Sequence, residues 1–420
     1  MKILIENGTY DCHNAGDLSM LKVCIDRVHE LFPTSEIYTV TESPEKLLNV
    51  SDKTKAISFL TGRLLWLQPR NIFGPVHKLL PFNDKIIDDI ELTFKRKFPL
   101  ISLQIIKWRY RRDPNKKKEV DNFICTLRSF DLVILSGGGY ITDSFENHAS
   151  KILETLILAD RFAIPFYLFG QGIGPIFSEK LENIIRIILP KAKLIALRER
   201  LKGPELLEKL GVNKENLVIT GDDAIEIARS RKNESEAHSL GLNIRFASYM
   251  GVTSDKANII VSTAENYAAE TGAEIIPVPI SWHKDENDLA QTSKLLKNFN
   301  NKDSENIETI EGLISQIDKC RIIITTSYHA AVFALANGRT VIALIASEYY
   351  VDKFRGLADM FGSGMQMIDL KNDNWEQAYK EALKSYWLNF NDYKAGLDDA
   401  SIKQIAKSKQ AYSKLSHART

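Results

Sequence analysis

His329 follows a run of polar side chains, Thr325, Thr326, Ser327 and Tyr328, and stands just ahead of the apolar stretch AAVFALA. Upstream, Arg321 to Ile324 reads as a strand buried on both faces. Downstream, the spacing of Val332, Phe333 and Leu335 reads as a helix that Gly338 closes, and TVIALI begins a further strand. The imidazole is thus expected in the first turn of a helix, where unpaired N–H groups favour anions, and outside the carboxyl end of a strand, where open α/β sheets bind ligands. An imidazole there points to acid–base chemistry on an anionic substrate. The segment ASEYYVDKF adds Tyr349, Tyr350 and Lys353, read as a second strand end that brings a cation to the same side.

Other residues suit the same chemistry. Arg198, in LRER, is expected at a strand end, where a guanidinium grips a carboxylate or phosphate with paired hydrogen bonds; the bland alternative is a surface arginine paired with Glu199 or Glu205. In SGGGY, Gly137, Gly138 and Gly139 follow a strand directly, so the backbone can approach a ligand and aim N–H groups at an anion, or simply make a tight turn. FGQGIGP repeats the device and offers Gln171 as a polar contact, but neither run is GxGxxG, so a dinucleotide site is not supported. In NAGD, Asn14 and Asp17 lie between the first strand and helix. Asp17 is read as a base for a hydroxyl or as the helix cap. Asn243 and Arg245, in GLNIR, are placed to reach a cleft from a second domain.

The elements that must position these side chains alternate strand with helix. Residues 2–6 predict a first strand, 7–16 a polar loop, Asp17–Leu31 a helix and SEIYTVTE a second strand. DLVILSGGG, IPFYLFGQGIGP, LIALRER and LVITGDDA follow as strands, which implies a mostly parallel doubly wound sheet. A polar stretch from Ser230 to Ser239 reads as a linker. Beyond it HSLGLNIRF, a helix around Ile259–Thr271, AEIIPVPIS, a helix over Glu286–Phe299, RIIITTSYH and TVIALIA repeat the alternation. The expected organisation is a Rossmann-like domain over 1–232, a second over 233–385, and C-terminal helices over 386–420 that pack back on the first. The C-terminal region carries Trp375, Ala378, Ala382 and Trp387 on its apolar side.

One segment breaks the repeat. Residues 60–120 form an insertion, and Lys95 to Lys118 hold ten basic residues against Asp113 alone, interleaved with Phe98, Leu100, Ile101, Trp108 and Tyr110. Two readings stand: a lip over 95–118 that meets an anionic membrane surface, or a solvated helix pair capping the first domain. Nucleic acid is not an expected partner, because the chain as a whole is nearly neutral at +1.

A length of 420 residues with ordinary apolar and charged content suits two domains, each able to bury a core. The opening MKILIENG lacks a secretory apolar stretch and no window has membrane-spanning length, so a cytoplasmic protein is expected, with the inner membrane face as a further location if the basic lip is used. Cys12, Cys24, Cys125 and Cys320 show no CxxC spacing, which argues against structural zinc and a disulfide framework; no metal is expected.

The ordered motifs NAGD, SGGGY, FGQGIGP, LRER, GLNIR, VPIS and the His329 turn followed by Lys353 resemble the polysaccharide pyruvyl transferase family. The resemblance implies two Rossmann-like domains facing across a cleft, the GT-B-like α/β architecture. It also implies transfer of a pyruvyl group from phosphoenolpyruvate to a sugar or lipid-linked glycan, with phosphoenolpyruvate as donor substrate and no separate cofactor. By resemblance Arg198, His329 and Lys353 surround the donor. Two positions depart from the family pattern: Ser327 stands where many members carry the arginine of SxRxH, and Lys202 where RExxS ends in serine. Two rival functions share this architecture, a glycosyltransferase using a nucleotide sugar and a non-catalytic glycan-assembly protein.

Overall fold

Short apolar runs rich in Ile, Leu and Val become strands buried on both faces, and two separate parallel sheets result. The computed structural model describes every residue except 80, 231–236, 246–251, 284–285, 297–307 and 420, together with every side chain except also those of 8–10, 79, 286, 349 and 417–419. The first sheet contains β1 (Lys2–Tyr10), β2 (Glu36–Thr41), β3 (Lys55–Ile57), β4 (Leu132–Leu135), β5 (Gly138–Ile141), β6 (Phe166–Ile173), β7 (Leu194–Leu197) and β8 (Leu217–Ile219). Its order is β3-β2-β1-β4-β6-β7-β8, with β5 also on β6. Successive residues serve opposite faces: Ile3, Ile5 and Ile134 enter one core, Leu4, Val133 and Leu135 the other.

The second sheet holds β9 (Ser239–Asn243), β10 (Glu274–Pro277), β13 (Cys320–Thr325), β14 (Thr340–Ile345) and β15 (Met365–Asp369), in the order β10-β9-β13-β14-β15. A small antiparallel pair, β11 (Trp282–His283) and β12 (Glu286–Asn287), stands apart from it. Strand order reverses between β1 and β4 in one sheet and between β9 and β13 in the other. These reversals open a crevice beyond the carboxyl ends of the strands. The two sheets form Rossmann-like units of GT-B-like architecture. The boundary expected at 232/233 lies outside the described residues.

Several local expectations change. β1 continues to Tyr10, and the first helix begins at Ala15 because Asn14, not Asp17, caps it. The glycines of SGGGY are no free loop. β4 and β5 are successive stretches against β6, with Leu135 opposite Leu168 and Gly138 opposite Gln171. FGQGI lies within β6, where Gly170 at φ 58° sits at the register shift against β7. Lys353 comes from the helix Glu348–Phe361 and not from a strand end. The helix expected over Glu286–Phe299 is Asp288–Leu295, while 297–299 lie outside the described residues. The edge strands β3 and β15 were not foreseen, being short or only half-buried.

Residues 60–128 supply the helices Leu60–Leu67, Asp84–Lys97, Pro99–Arg109 and Pro114–Arg128. At the other end of the chain, the helix Phe390–Ser413 returns to the first sheet. Tyr412 stacks on Phe169 of β6 at 3.8 Å, and the hydroxyls of Ser408 and Tyr412 donate to the buried Asp223 at 2.7 and 3.0 Å. Burial pushes the Asp223 carboxyl up to about 7, against the opposing pull of Ser408 and Tyr412. The native state therefore keeps a proton that the unfolded chain releases near pH 4, and this group's contribution to stability falls between about pH 4 and about pH 7. Asp223→Asn, which is isosteric and cannot ionise but keeps an acceptor oxygen for only one of the two hydroxyls and offers the other an N–H, is expected to flatten that fall when Tm is followed across this range; an unchanged slope contradicts the assignment.

Candidate active site

The NAGD turn after β1 and the His329 turn after β13 meet across the crevice. Asn14 Oδ1 accepts the N–H groups of Gly16 and Asp17 at 3.0 and 3.3 Å, a capping pattern that fixes the start of helix Ala15–Leu31. The same turn is stitched to the second sheet's VPIS segment: Ala15 N–H donates to the Ile280 carbonyl at 2.9 Å and Trp282 N–H to that of His13 at 2.9 Å. Asn14 and Ser281 form an isolated bridge there. Gly16 thereby presses on the imidazole of His329, and any Cβ at Gly16 would collide with that ring.

His329 lies in the first turn of helix Tyr328–Ala336, as its sequence predicts. Its Nε2 is buried and has no hydrogen-bond partner among the described residues; the nearest acidic oxygen, Asp222 Oδ2, is 3.8 Å away. Burial, and then Arg198, Lys353 and Arg245, hold the imidazole well below its ordinary pKa. It is neutral at neutral pH, so its approach to Asp222 is not an ion pair.

Arg198 is buried at the end of β7, where its guanidinium stacks on the Tyr328 ring at 4.2 Å and faces Asp222 at 3.5 Å. The alternative surface pairing does not occur. Glu199 instead accepts the N–H groups of Leu201, Lys202 and Gly203, and Glu205 holds Lys209. Lys353 Nζ lies 3.3 Å from the Gly139 carbonyl. Burial, then Arg198, depress its pKa well below the usual lysine range, with Asp17 opposing. Asp17 is pushed up to about 6 by burial, then Asp11 and Asp222, while Arg198 and Arg245 pull the other way.

Arg245 makes a two-point contact with Asp288, Nε to Oδ1 and Nη2 to Oδ2, both 2.9 Å. Asp288 also accepts from Asn243 Nδ2 and from the N–H groups of Ile280 and Ser281. One carboxylate thus sets both Arg245 and the strand end that meets the NAGD turn.

Around these residues is a cavity of about 460 Å³ whose lining includes Asn14, Asp17, Gly139, Arg198, Arg245, Ser327, His329 and Lys353. This is within the range of small-molecule sites. A second hollow of about 340 Å³ shares Arg198, Tyr328 and Lys353 with it and is bordered by Lys202.

Four sequence candidates do not line the cavity. Gly137 packs under Met20 and Gly138 under Tyr140. Gln171 is buried and donates to the Ser136 and Phe169 carbonyls at 2.6 and 3.0 Å. Asn243 is spent on the Val278 carbonyl and Asp288. The side chain of Tyr349 lies outside the described residues, whereas Tyr350 borders the cavity. Sequence reasoning missed Gly16, Asp222, Tyr328 and Asp288 as parts of the site. Asp222 had a signal, an acidic pair just after a strand and a glycine in LVITGDDA; the other three act through contacts that only folding creates. Among the described residues, no three His, Cys, Asp or Glu side chains cluster as metal ligands would.

The family model described as polysaccharide pyruvyl transferase matches residues 14–348. The chain belongs to that family. The amylovoran biosynthesis protein AmsJ of Erwinia amylovora is 22% identical over 412 residues, covering 88% of this chain and 89% of its own. Among solved structures, a UDP-GlcNAc 2-epimerase from Neisseria meningitidis bound to UDP-GlcNAc aligns with a TM-score of 0.54 at 12% identity, covering 100% of this chain and 99% of its own. S. aureus MnaA in a co-structure with UDP gives a TM-score of 0.54 at 14% identity, covering 95% and 93%. At such identities the two structures share the fold alone with this member of the pyruvyl transferase family.

Gly139 explains how the family's glycine run serves the cavity. A Cβ there would fall 2.5 Å from Arg198 Nη2 and 2.8 Å from Lys353 Nζ. Gly139→Ala is expected to displace both cations and weaken inorganic phosphate binding by roughly tenfold, about the worth of one charge-assisted hydrogen bond. Isothermal titration calorimetry reads this; unchanged affinity in a folded variant contradicts it.

Proposed function

We propose that this chain transfers the pyruvyl group of phosphoenolpyruvate to a sugar of a cell-surface glycan or its precursor, forming a ketal. The observation that carries this reading is the buried, unpartnered Nε2 of His329 in a cavity lined by Arg198, Lys353 and Arg245. A donor with both a phosphate and a carboxylate matches that charge, and binding it offsets the positive groups that, after burial, depress the imidazole. His329 then gains proton affinity and can act as the acid.

His329 protonates the methylene carbon, making the central carbon electrophilic. One sugar hydroxyl adds to that carbon and gives its proton to Asp17. The bond to the phosphate oxygen breaks, with Arg198 and Lys353 offsetting the charge on the departing group. A second hydroxyl adds to the same carbon, loses its proton and closes the ketal. Of the two hydroxyl protons, one replaces that spent on the methylene and the other leaves with phosphate, so the reaction balances without redox change. Arg245, fixed by Asp288, supplies a guanidinium to the cavity in a chain that has Ser327 in place of the usual arginine.

Phosphoenolpyruvate is expected to raise Tm in a thermal-shift titration, whereas UDP- and GDP-sugars do not. Stabilisation by a nucleotide sugar in place of phosphoenolpyruvate would move the chain to the glycosyltransferase reading. Phosphate release with glycan acceptors should fall by roughly 10²–10⁴ in His329→Ala, the usual worth of a general acid. Asp17 must be ionised to accept a proton, so kcat/KM should drop as pH falls through about 6. In Asp17→Asn that limb should disappear along with most of the rate; a limb that persists would reassign the base.

A further inference from the structure

The helices Asp84–Lys97 and Pro99–Arg109 bury one side and present another. Ile87, Leu103 and Ile106 turn inward, but Ile86 and Ile90, one turn apart, are 43% and 45% exposed. On the second helix Ile101 is 55% and Trp108 62% exposed, and Phe98 between the helices is also exposed. A solvated helix face carries polar residues at such positions, and bulky apolar groups exposed on two successive helices point to a contact surface.

Seven of the ten basic residues over 95–118 sort into two sets. Lys95 pairs with the buried Glu91 at 2.8 Å, Lys107 with Asp121 at 2.6 Å, and Arg96 with Glu154. These face inward and are compensated. Arg111, Arg112, Lys117 and Lys118 are exposed in the stretch of chain that follows Trp108. Arg111 lies over the Trp108 ring at 4.4 Å, and Lys97 over Phe98 at 5.5 Å. Each large aromatic on the ridge therefore has a cation over its ring, an apolar body with a basic tip as side chains at a bilayer interface require.

We infer that helices 84–109 and the basic turn after them dock on an anionic lipid bilayer, with Trp108 and Ile101 entering the headgroup boundary and Arg111, Arg112, Lys117 and Lys118 meeting lipid phosphates. Charge favours this occupant, because the exposed Arg111, Arg112, Lys117 and Lys118 are compensated by an anionic surface. One helix, Glu146–Arg161, touches both the insertion and the cavity. Arg96 grips its Glu154, and His148, six residues earlier or about 9 Å of helix rise, borders the cavity. Among the described residues no helix is long and apolar enough to cross a membrane, so the contact lies along the surface. This inference does not depend on the reaction catalysed.

The test is flotation of the full chain with vesicles of phosphatidylcholine alone or mixed with phosphatidylglycerol. Binding is expected to the mixed vesicles only and to weaken with salt, each exposed basic residue being worth about fivefold. Lys117→Glu with Lys118→Glu should lower binding more than 20-fold, and Trp108→Ala should lower it at unchanged charge, with melting curves confirming that both variants fold. No binding to the mixed vesicles at low salt, equal binding to both vesicle types, or a dimer in light scattering that Trp108→Ala splits would overturn the inference.

Discussion

Everything at the candidate site depends on how closely the NAGD turn approaches the His329 helix. Gly16 has no side chain to hold the two apart, and the bonds from Ala15 to Ile280 and from Trp282 to His13 fix the approach. Because those bonds join the carboxyl ends of two sheets, each with its own reversal of strand order, they bring two ligand-binding crevices into one. Neither sheet alone surrounds the imidazole. Arg198 and Asp222 come from the first, Arg245 and His329 from the second, and Lys353 reaches across to the Gly139 carbonyl.

Burial sets the electrostatics that follow. Desolvation penalises the charged forms of His329 and Lys353, and the neighbouring Arg198 adds repulsion, so both are pushed down. Asp17 is pushed up, because desolvation and the neighbouring Asp11 and Asp222 outweigh the cations. The same burial thus gives an imidazole that lacks a proton and a carboxyl poised near 6, and an anion entering the cavity opposes the first shift and reinforces the second. In the reaction proposed here, environment rather than residue type would divide the acid role from the base role.

The sequence displayed most of the scaffold, because strands buried on both faces read as unbroken apolar runs and the turns between them are polar. The His329 turn was legible for that reason. The glycine runs were harder: glycine signals a loop, yet β5 and the end of β6 keep their pairing through glycines because close packing, on Arg198 at Gly172 and Gly139, forbids a side chain. Gln171 and Asn243 were polar residues near strand ends and so resembled ligand contacts. Their partners proved to be buried carbonyls and, for Asn243, the Asp288 carboxylate, a demand for satisfaction that cannot be seen without the neighbours. Lys353 was placed on the correct side by the wrong element, since two tyrosines after TVIALI suit a strand as well as the first turn of a helix.

Asp222 shows why a site is only partly readable from a chain. Its Oδ1 accepts the Ala224 N–H at 2.9 Å, the ordinary duty of an aspartate at the start of a helix, and this duty alone would explain its presence. Its other oxygen stands between Arg198 at 3.5 Å and His329 at 3.8 Å, so one side chain fixes the local backbone and also spaces a guanidinium from an imidazole. A carboxylate that stabilises Arg198 keeps the guanidinium charged and in place, and its distance from Nε2 leaves that nitrogen available to a substrate. Had Asp222 Oδ2 approached Nε2 within hydrogen-bond reach, that nitrogen would have been satisfied internally instead of facing the cavity.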